Sequence, residues 1–253
     1  MKLKKLIIAA VASLGLAGPS SAAVIDIGFA LDQSGSVGSS NFNLVRTALA
    51  NALDQIPTSG PNQYRIGVVK FNSFATNVVS PPTIVTAGNI AAIKNTIATT
   101  SYSGGGTSIA AGVTALTNMF TSAGLGDMTL FNVTTDGQSS ISALQAASTA
   151  AAAAGVDGIS YEGIGGGVNT AGLLSVAFPT PAVLATLATI PDPTKNGFVL
   201  PVASFADYEA AIKAKVQRIV TPTIPLPAGL PLILSGVVFL GGLRAAKSRK
   251  AAA

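Results

Sequence analysis

The stretch AVIDIGFALDQSGSVGSS, Ala23 to Ser40, decides how the rest of the chain is read. Its first part is a near-continuous apolar run, the pattern of a strand buried on both faces of a sheet. The run stops at Asp32, and Ser34 and Ser36 follow at alternate positions. A core strand thus ends in three hard oxygen donors. A helical pattern comes next, NFNLVRTALANALDQI, with Phe42, Val45, Leu49, Leu53 and Ile56 at helical spacing.

Outward from this unit, apolar runs and helical patterns keep alternating. YRIGVVKFNS and ATNVVSPP read as strands, and AGNIAAIKNTIATT and TSIAAGVTALTNMFTSA as helices. DMTLFNVTTDG reads as a strand and SALQAASTAAAAAG as a helix closed by Gly155. VDGISYEGIG and FVLPVASF read as strands, and FADYEAAIKAKVQRIV as the last helix. TPAVLATLATIPDPTKNG reads as a helix followed by a proline-rich loop. The alternation predicts an α/β fold of three layers, a doubly wound, mostly parallel sheet with helices on both faces. In such folds ligands bind at the carboxyl ends of the strands. Asp32, Ser34 and Ser36 lie at one such end, and Asp136 in NVTTDGQSS at another. Thr107 follows Gly104, Gly105 and Gly106 in a loop ahead of a helix.

Each of these residues has a plainer reading. Asp32 and Ser36 can cap the following helix, and Thr107 or Ser108 the one they precede. Asp136-Gly137 is also a turn signal. Asp26, inside the first strand, reads as structural, and Tyr102 as a residue lining the site.

Composition narrows the chemistry. The 253 residues include no His and no Cys, which excludes Ser-His-Asp catalysis, thiol nucleophiles, disulfides and His- or Cys-based zinc sites. The formal charge of +5 comes from the ends. Lys2, Lys4, Lys5, Arg244, Lys247, Arg249 and Lys250 account for seven of the 15 basic residues, which leaves eight against ten acidic ones between them. No basic face for nucleic acid follows from that balance.

The two ends read as sorting segments. Residues 1–22, MKLKKLIIAAVASLGLAGPSSA, have the basic start, apolar centre and small-residue end of a secretory signal peptide. Residues 222–253 combine a proline-rich linker, an apolar segment and a basic tail. Counted from Ile224 to Leu243 the apolar segment reaches the ~20 residues of a transmembrane helix, with the basic cluster left in the cytoplasm. This tail, with IPLPA, resembles the bacterial PEP-CTERM sorting signals, in particular the VPLPA variant, with Ile224 in place of the usual valine. The resemblance implies processing by an exosortase, a membrane contact through the C-terminal segment, and placement at the surface, outer envelope or extracellular matrix of a Gram-negative bacterium. A plain membrane anchor is the alternative.

Residues 23–221 resemble the von Willebrand factor A domain with its metal-ion-dependent adhesion site. The family motif D-x-S-x-S, a distant Thr and a distant Asp is matched by Asp32-Gln33-Ser34-Gly35-Ser36, Thr107 in GGGTSIAAGV and Asp136 in TTDG. The resemblance implies a Rossmann-like fold and one Mg²⁺ or Mn²⁺ held by Asp32, Ser34, Ser36, Thr107 and Asp136. The hydroxyls would bind directly and the carboxylates often through water. A hard cation of this kind takes about six oxygens and keeps some waters. Its open position favours a Glu or Asp carboxylate from a partner protein. Integrin-type relatives carry further acidic residues after the motif, and VGSSNF has none, so a single metal is expected. The function implied is adhesion or matrix assembly rather than catalysis. A structural surface protein whose metal only braces loops is the alternative. A metal-assisted hydrolase, with Glu162 as a remote base, and a nucleotide-binding module, which lacks the P-loop lysine pattern, rank below both.

Overall fold

The computed structural model describes residues 22–221, so the segments read as sorting signals lie outside the described residues. Strand β1 (Ala23–Asp32) is followed by helix α1 (Gly38–Ala52), which ends in a short 3₁₀ turn at Leu53–Gln55. Next come β2 (Asn62–Phe71), β3 (Ala75–Ile84), α2 (Ile90–Ala98) and α3 (Ile109–Ala123). The second half runs β4 (Met128–Thr135), α4 (Ile141–Ala153), β5 (Gly158–Ile164), α5 (Thr170–Val176), β6 (Val183–Leu184), β7 (Phe198–Val202) and α6 (Tyr208–Val220). The strands form one sheet in the order β3-β2-β1-β4-β5-β7-β6. Only the β2–β3 pair is antiparallel.

Alternation along the strands sends side chains to two cores. Ile25, Ile27, Phe29 and Leu31 of β1 pack on one face with α1 and α6, through Phe42, Leu49, Ile212 and Val216. Ala30, Val69, Phe71, Phe131 and Val133 pack on the other with α3 and α4, through Val113, Leu116, Phe120 and Leu144. This is the three-layer α/β arrangement expected from the sequence. Helix α3 lies close on the sheet. A Cβ at Gly112 would stand 2.7 Å from Cδ1 of Phe71 and 3.3 Å from Cβ of Ala30.

Asp26 is fully buried and structural. Arg65 donates to it from Nε at 2.6 Å and from Nη2 at 2.7 Å, and the Gly126 amide donates at 2.7 Å. One expectation fails. The helix read in 180–197 is absent, and that segment holds the short edge strand β6 and irregular chain. Pro179 and Pro181 bias the residues before them away from helix, and β-branched Val183 suits a strand. The Ala185 amide continues the edge pairing to the Val199 carbonyl at 2.8 Å. The helix of this region is α5 instead, capped by Asn169, whose Oδ1 accepts from the Gly172 amide at 2.9 Å. Among the described residues no helix is long and apolar enough to cross a membrane.

Candidate functional site

Strand β1 lies between β2 and β4, where the sheet order reverses, and such a switch point opens a crevice at the carboxyl edge. Asp32 ends β1, and Asp136 directly follows β4. The register aligns Leu31 with Thr134, so the two strand ends stand side by side.

Asp32 is 2% exposed. Its Oδ1 accepts from the Ser34 amide at 2.8 Å, and its Oδ2 from the Thr135 hydroxyl at 2.6 Å. Burial pushes its carboxyl up to about 6, against the opposing effect of the bonds from Ser34 and Thr135, and nearby Asp136 pushes it the same way. A carboxylate so placed lacks a countercharge.

The other oxygens converge on the same point. Oγ of Ser34 and Oγ of Ser36 are 3.0 Å apart, and the Ser36 hydroxyl donates to Oδ1 of Asp136 at 2.8 Å. Thr107 closes the set from the third loop. A Cβ at Gly137 would meet Oγ1 of Thr107 at 3.4 Å and Oγ of Ser36 at 3.6 Å. The structure therefore brings together all five residues singled out in the sequence.

The plain readings fare differently. Helix α1 begins after Val37 with no side-chain cap, so Asp32 and Ser36 are not spent on it. Ser108 caps α3, accepting from the Ala111 amide at 3.3 Å, which leaves the Thr107 hydroxyl for the site. Tyr102 borders the site as a brace, its hydroxyl donating to the Ser34 carbonyl at 3.1 Å. Glu162 stands apart as a fully buried carboxylate paired with the Lys215 ammonium.

Two residues the sequence reading did not single out hold the site together. Thr135, besides bonding Asp32, accepts from the Gly137 amide at 3.2 Å. Asn72, just past β2, donates from Nδ2 to the Gly104 carbonyl and accepts at its own carbonyl from the Ser108 amide at 2.7 Å. Asn72 thereby anchors the loop carrying Thr107. Gly104 and Gly105 have φ of 66° and 113°, which only glycine adopts without strain, and the Gly105 carbonyl accepts from the Gly35 amide at 2.8 Å. The TTDG run was the available signal for Thr135. Asn72 left no signal, because its role depends on a loop some 30 residues away.

The donor set fits a small hard cation. The site offers carboxylate and hydroxyl oxygens from three loops, and the chain has no imidazole or thiolate to compete. Neighbouring oxygens in an octahedral shell with bonds of ~2.0–2.1 Å lie about 2.9 Å apart. The spacings of 3.0 and 2.8 Å are close to that.

Residues 26–213 match the family model of the von Willebrand factor type A domain. No curated protein matches the chain significantly. Among solved structures, the fold is similar to that of proximal thread matrix protein 1 from the mussel byssus, at 21% identity and a TM-score of 0.57, over 79% of this chain and 47% of that one. A further structure of the mussel protein has zinc in its metal-ion-dependent adhesion motif. The fold is also similar to the pilus adhesin SpaC from Lactobacillus rhamnosus GG, at 15% identity and a TM-score of 0.59, over 79% of this chain and 31% of that one. A von Willebrand factor type A protein from Catenulispora acidiphila matches at 18% identity and a TM-score of 0.55, over 78% of this chain and 43% of that one. The chain thus spans less than half the length of each of these three.

Proposed function

Because the chain belongs to the von Willebrand factor type A domain family, we propose that Asp32, Ser34, Ser36, Thr107 and Asp136 hold one divalent cation, Mg²⁺ or Mn²⁺, which binds a carboxylate of a partner protein. The observation that carries this reading is the convergence of three loops on one cluster of oxygens, with a buried carboxylate that lacks a countercharge. Mg²⁺ and Mn²⁺ are preferred to zinc because the chain has no imidazole or thiolate and the candidate ligands are all oxygens. When bound, the cation supplies a Lewis-acidic position for an anionic ligand. The protein's own residues orient it. Thr135 and the Ser34 amide fix the Asp32 carboxylate, and Asn72 fixes the loop of Thr107.

The role is binding, in adhesion or extracellular matrix assembly. The mussel matrix protein and the pilus adhesin support it as relatives in fold. The signal-like residues 1–22 and the IPLPA-containing tail support export, exosortase processing and a surface location. Catalysis is not assigned, since Glu162, the remote candidate base, is buried against Lys215.

The test is a thermal melt of the chain in Mg²⁺, in Mn²⁺ and in EDTA, beside Asp32→Ala. At about 100 times Kd a cation that binds only the native state adds ~2.7 kcal/mol, roughly 5–10 °C for a domain of this size. A rise in wild type that vanishes in the variant supports the site. A folded wild-type chain with no rise in either metal removes it. A rise without metal-dependent capture of any acidic peptide leaves the structural role, a cation that only braces loops.

A further inference from the structure

The loop joining β2 to β3 carries a phenylalanine and is hydrogen-bonded to the loop that carries Thr107. Phe74 is 63% exposed. Single exposed apolar residues are ordinary on protein surfaces. What distinguishes this one is its attachment. Its amide donates to Oδ1 of Asn72 at 3.1 Å, and its carbonyl accepts from the Asn72 amide at 2.9 Å. Its neighbour Ser73 accepts at Oγ from the Gly106 amide at 3.1 Å, one residue before Thr107. Phe74 and Thr107 are therefore held by one hydrogen-bonded unit, built on Asn72 and Ser73. The backbone of an exposed aromatic is fixed before any partner arrives, which lowers the ordering cost of using it.

Charge around the site narrows what could use it. The connections that follow β1, β2, β4, β5 and β7 at this edge, with the loop ahead of α3, run over residues 33–37, 72–74, 136–140, 165–169, 203–207 and 99–108, and none carries a Lys or Arg in its own sequence. Their only acidic residues are Asp136, in the site, and Asp207, whose Oδ2 accepts from the Ser204 hydroxyl at 2.6 Å. A partner with several acids near its contact point would find one cation and would meet Asp136 and Asp207. Arg46 and Lys70, the bases that reach the 99–108 connection, are half-buried and buried and are engaged with the Thr100 and Ser101 carbonyls. Apart from Asp207, the side chains these connections carry outside the site are uncharged, and their exposed aromatic is Phe74.

From this we infer that the site selects a protein segment with one acidic residue flanked by an apolar or aromatic side chain that packs on Phe74. The inference rests on the metal–carboxylate reading above and adds the chemistry of the flanking residue. Phe74 acts here as a specificity residue, not as a ligand of the cation.

The experiment uses the full chain and labelled short peptides with one central Glu, flanked by Phe or Leu, by Ser, by Asp or by Lys, each in excess Mg²⁺ and in EDTA. A Phe-flanked peptide with Gln in place of Glu is the carboxylate control. The variants are Phe74→Ser and Phe74→Tyr, whose melting temperatures and Mg²⁺-induced shifts are measured alongside and should match wild type. The expected result is Mg²⁺-dependent binding of apolar-flanked Glu peptides, at least about tenfold tighter than Ser-flanked ones. Phe74→Ser should abolish that preference and Phe74→Tyr should largely keep it. Equal binding of all Glu peptides, tightest binding with Asp or Lys flanks, or a preference that survives Phe74→Ser overturns the inference and leaves the metal–carboxylate reading standing. Equal binding of the Gln peptide, binding unaffected by EDTA, or no binding despite a Mg²⁺ shift overturns the carboxylate reading itself.

Discussion

Asp32 accepts one hydrogen bond on each carboxylate oxygen, from the Ser34 amide and the Thr135 hydroxyl, and is shut off from solvent. Without a cation its carboxyl titrates at about 6, up from 3.8, with burial as the main cause. Between those values the folded chain binds the proton more tightly than the unfolded chain. The contribution of this residue to stability is therefore most favourable on the acid side and falls as pH rises through the window, by about 3 kcal/mol in all. In EDTA, wild type should lose stability relative to Asp32→Asn between about pH 4 and pH 7, read from urea midpoints. Parallel midpoints for the two proteins would contradict this. Thr135 offers a test of second-sphere support. Thr135→Val keeps the shape, removes the 2.6 Å bond to Asp32, and should weaken Mg²⁺ binding roughly 10- to 100-fold while the domain stays folded. Calorimetric titration of Mg²⁺ into both proteins measures the difference.

Helix α3 brings Thr107 to the candidate site, so its seating on the sheet bears on the proposed cation binding as well as on stability. Replacing Gly112 by Ala sets two effects against each other. Helix propensity favours Ala by about 1 kcal/mol. The added methyl would stand 2.7 Å from a fully buried Phe71 ring, and overpacking of that kind costs about 1–3 kcal/mol. Overpacking should win, lowering stability by up to about 2 kcal/mol and weakening Mg²⁺ binding as the helix start shifts. A variant more stable than wild type by thermal melt would show that the helix moves freely. Across the sheet, Lys215 of α6 pairs with Glu162 of β5, both fully buried, and its ammonium lies 5.0 Å from the centroid of Phe198. Lys215→Met strands a charge and should cost about 3–5 kcal/mol, most of it regained in Lys215→Met/Glu162→Gln, where the carboxamide can still accept from Thr134. Equal denaturation midpoints for the single and double variants would rule the pairing out as the cause. The elements themselves differ in how far the sequence discloses them. Strand β1 carries a near-continuous apolar run and helix α1 a clear helical period. The 170–197 region does not. Helix α5 spans only Thr170–Val176, too short for a period to stand out, and Pro181 with β-branched Val183 turns an apolar helical-looking run into an edge strand.

At the scale of the whole described domain, the sheet order joins residues far apart in sequence, from Asp32 through Thr107 to Asp136. Strands ending in oxygen donors revealed Asp32 and Asp136, because a polar residue closing an apolar run is a local signal, and the Gly-rich loop ahead of a helix revealed Thr107. The bonds that orient them were not legible. The Tyr102 hydroxyl on the Ser34 carbonyl and the Asn72 amide on the Gly104 carbonyl join loops whose proximity follows only from the strand order. The same order closes both cores within the unit. Among the described residues the two apolar clusters run from Ile25 to Val220, and the compact unit runs Ala22–Thr221. The last strand and helix are not appendages, since α6 packs along α1 and Tyr208 meets Thr134 of β4 at 2.9 Å. Residues 22–221 alone should therefore unfold in urea as one cooperative step, with coincident curves by circular dichroism and tyrosine fluorescence. The Mg²⁺-induced rise in melting temperature should equal that of the full chain, since all five candidate ligands lie inside the unit. Cutting the chain after Val202 should abolish folding, because it removes Tyr208, Ile212 and Val216 from the core on the α1 face. A folded product of that cut, or a 22–221 fragment without the Mg²⁺ response, would mean that core and site are not completed by the same elements.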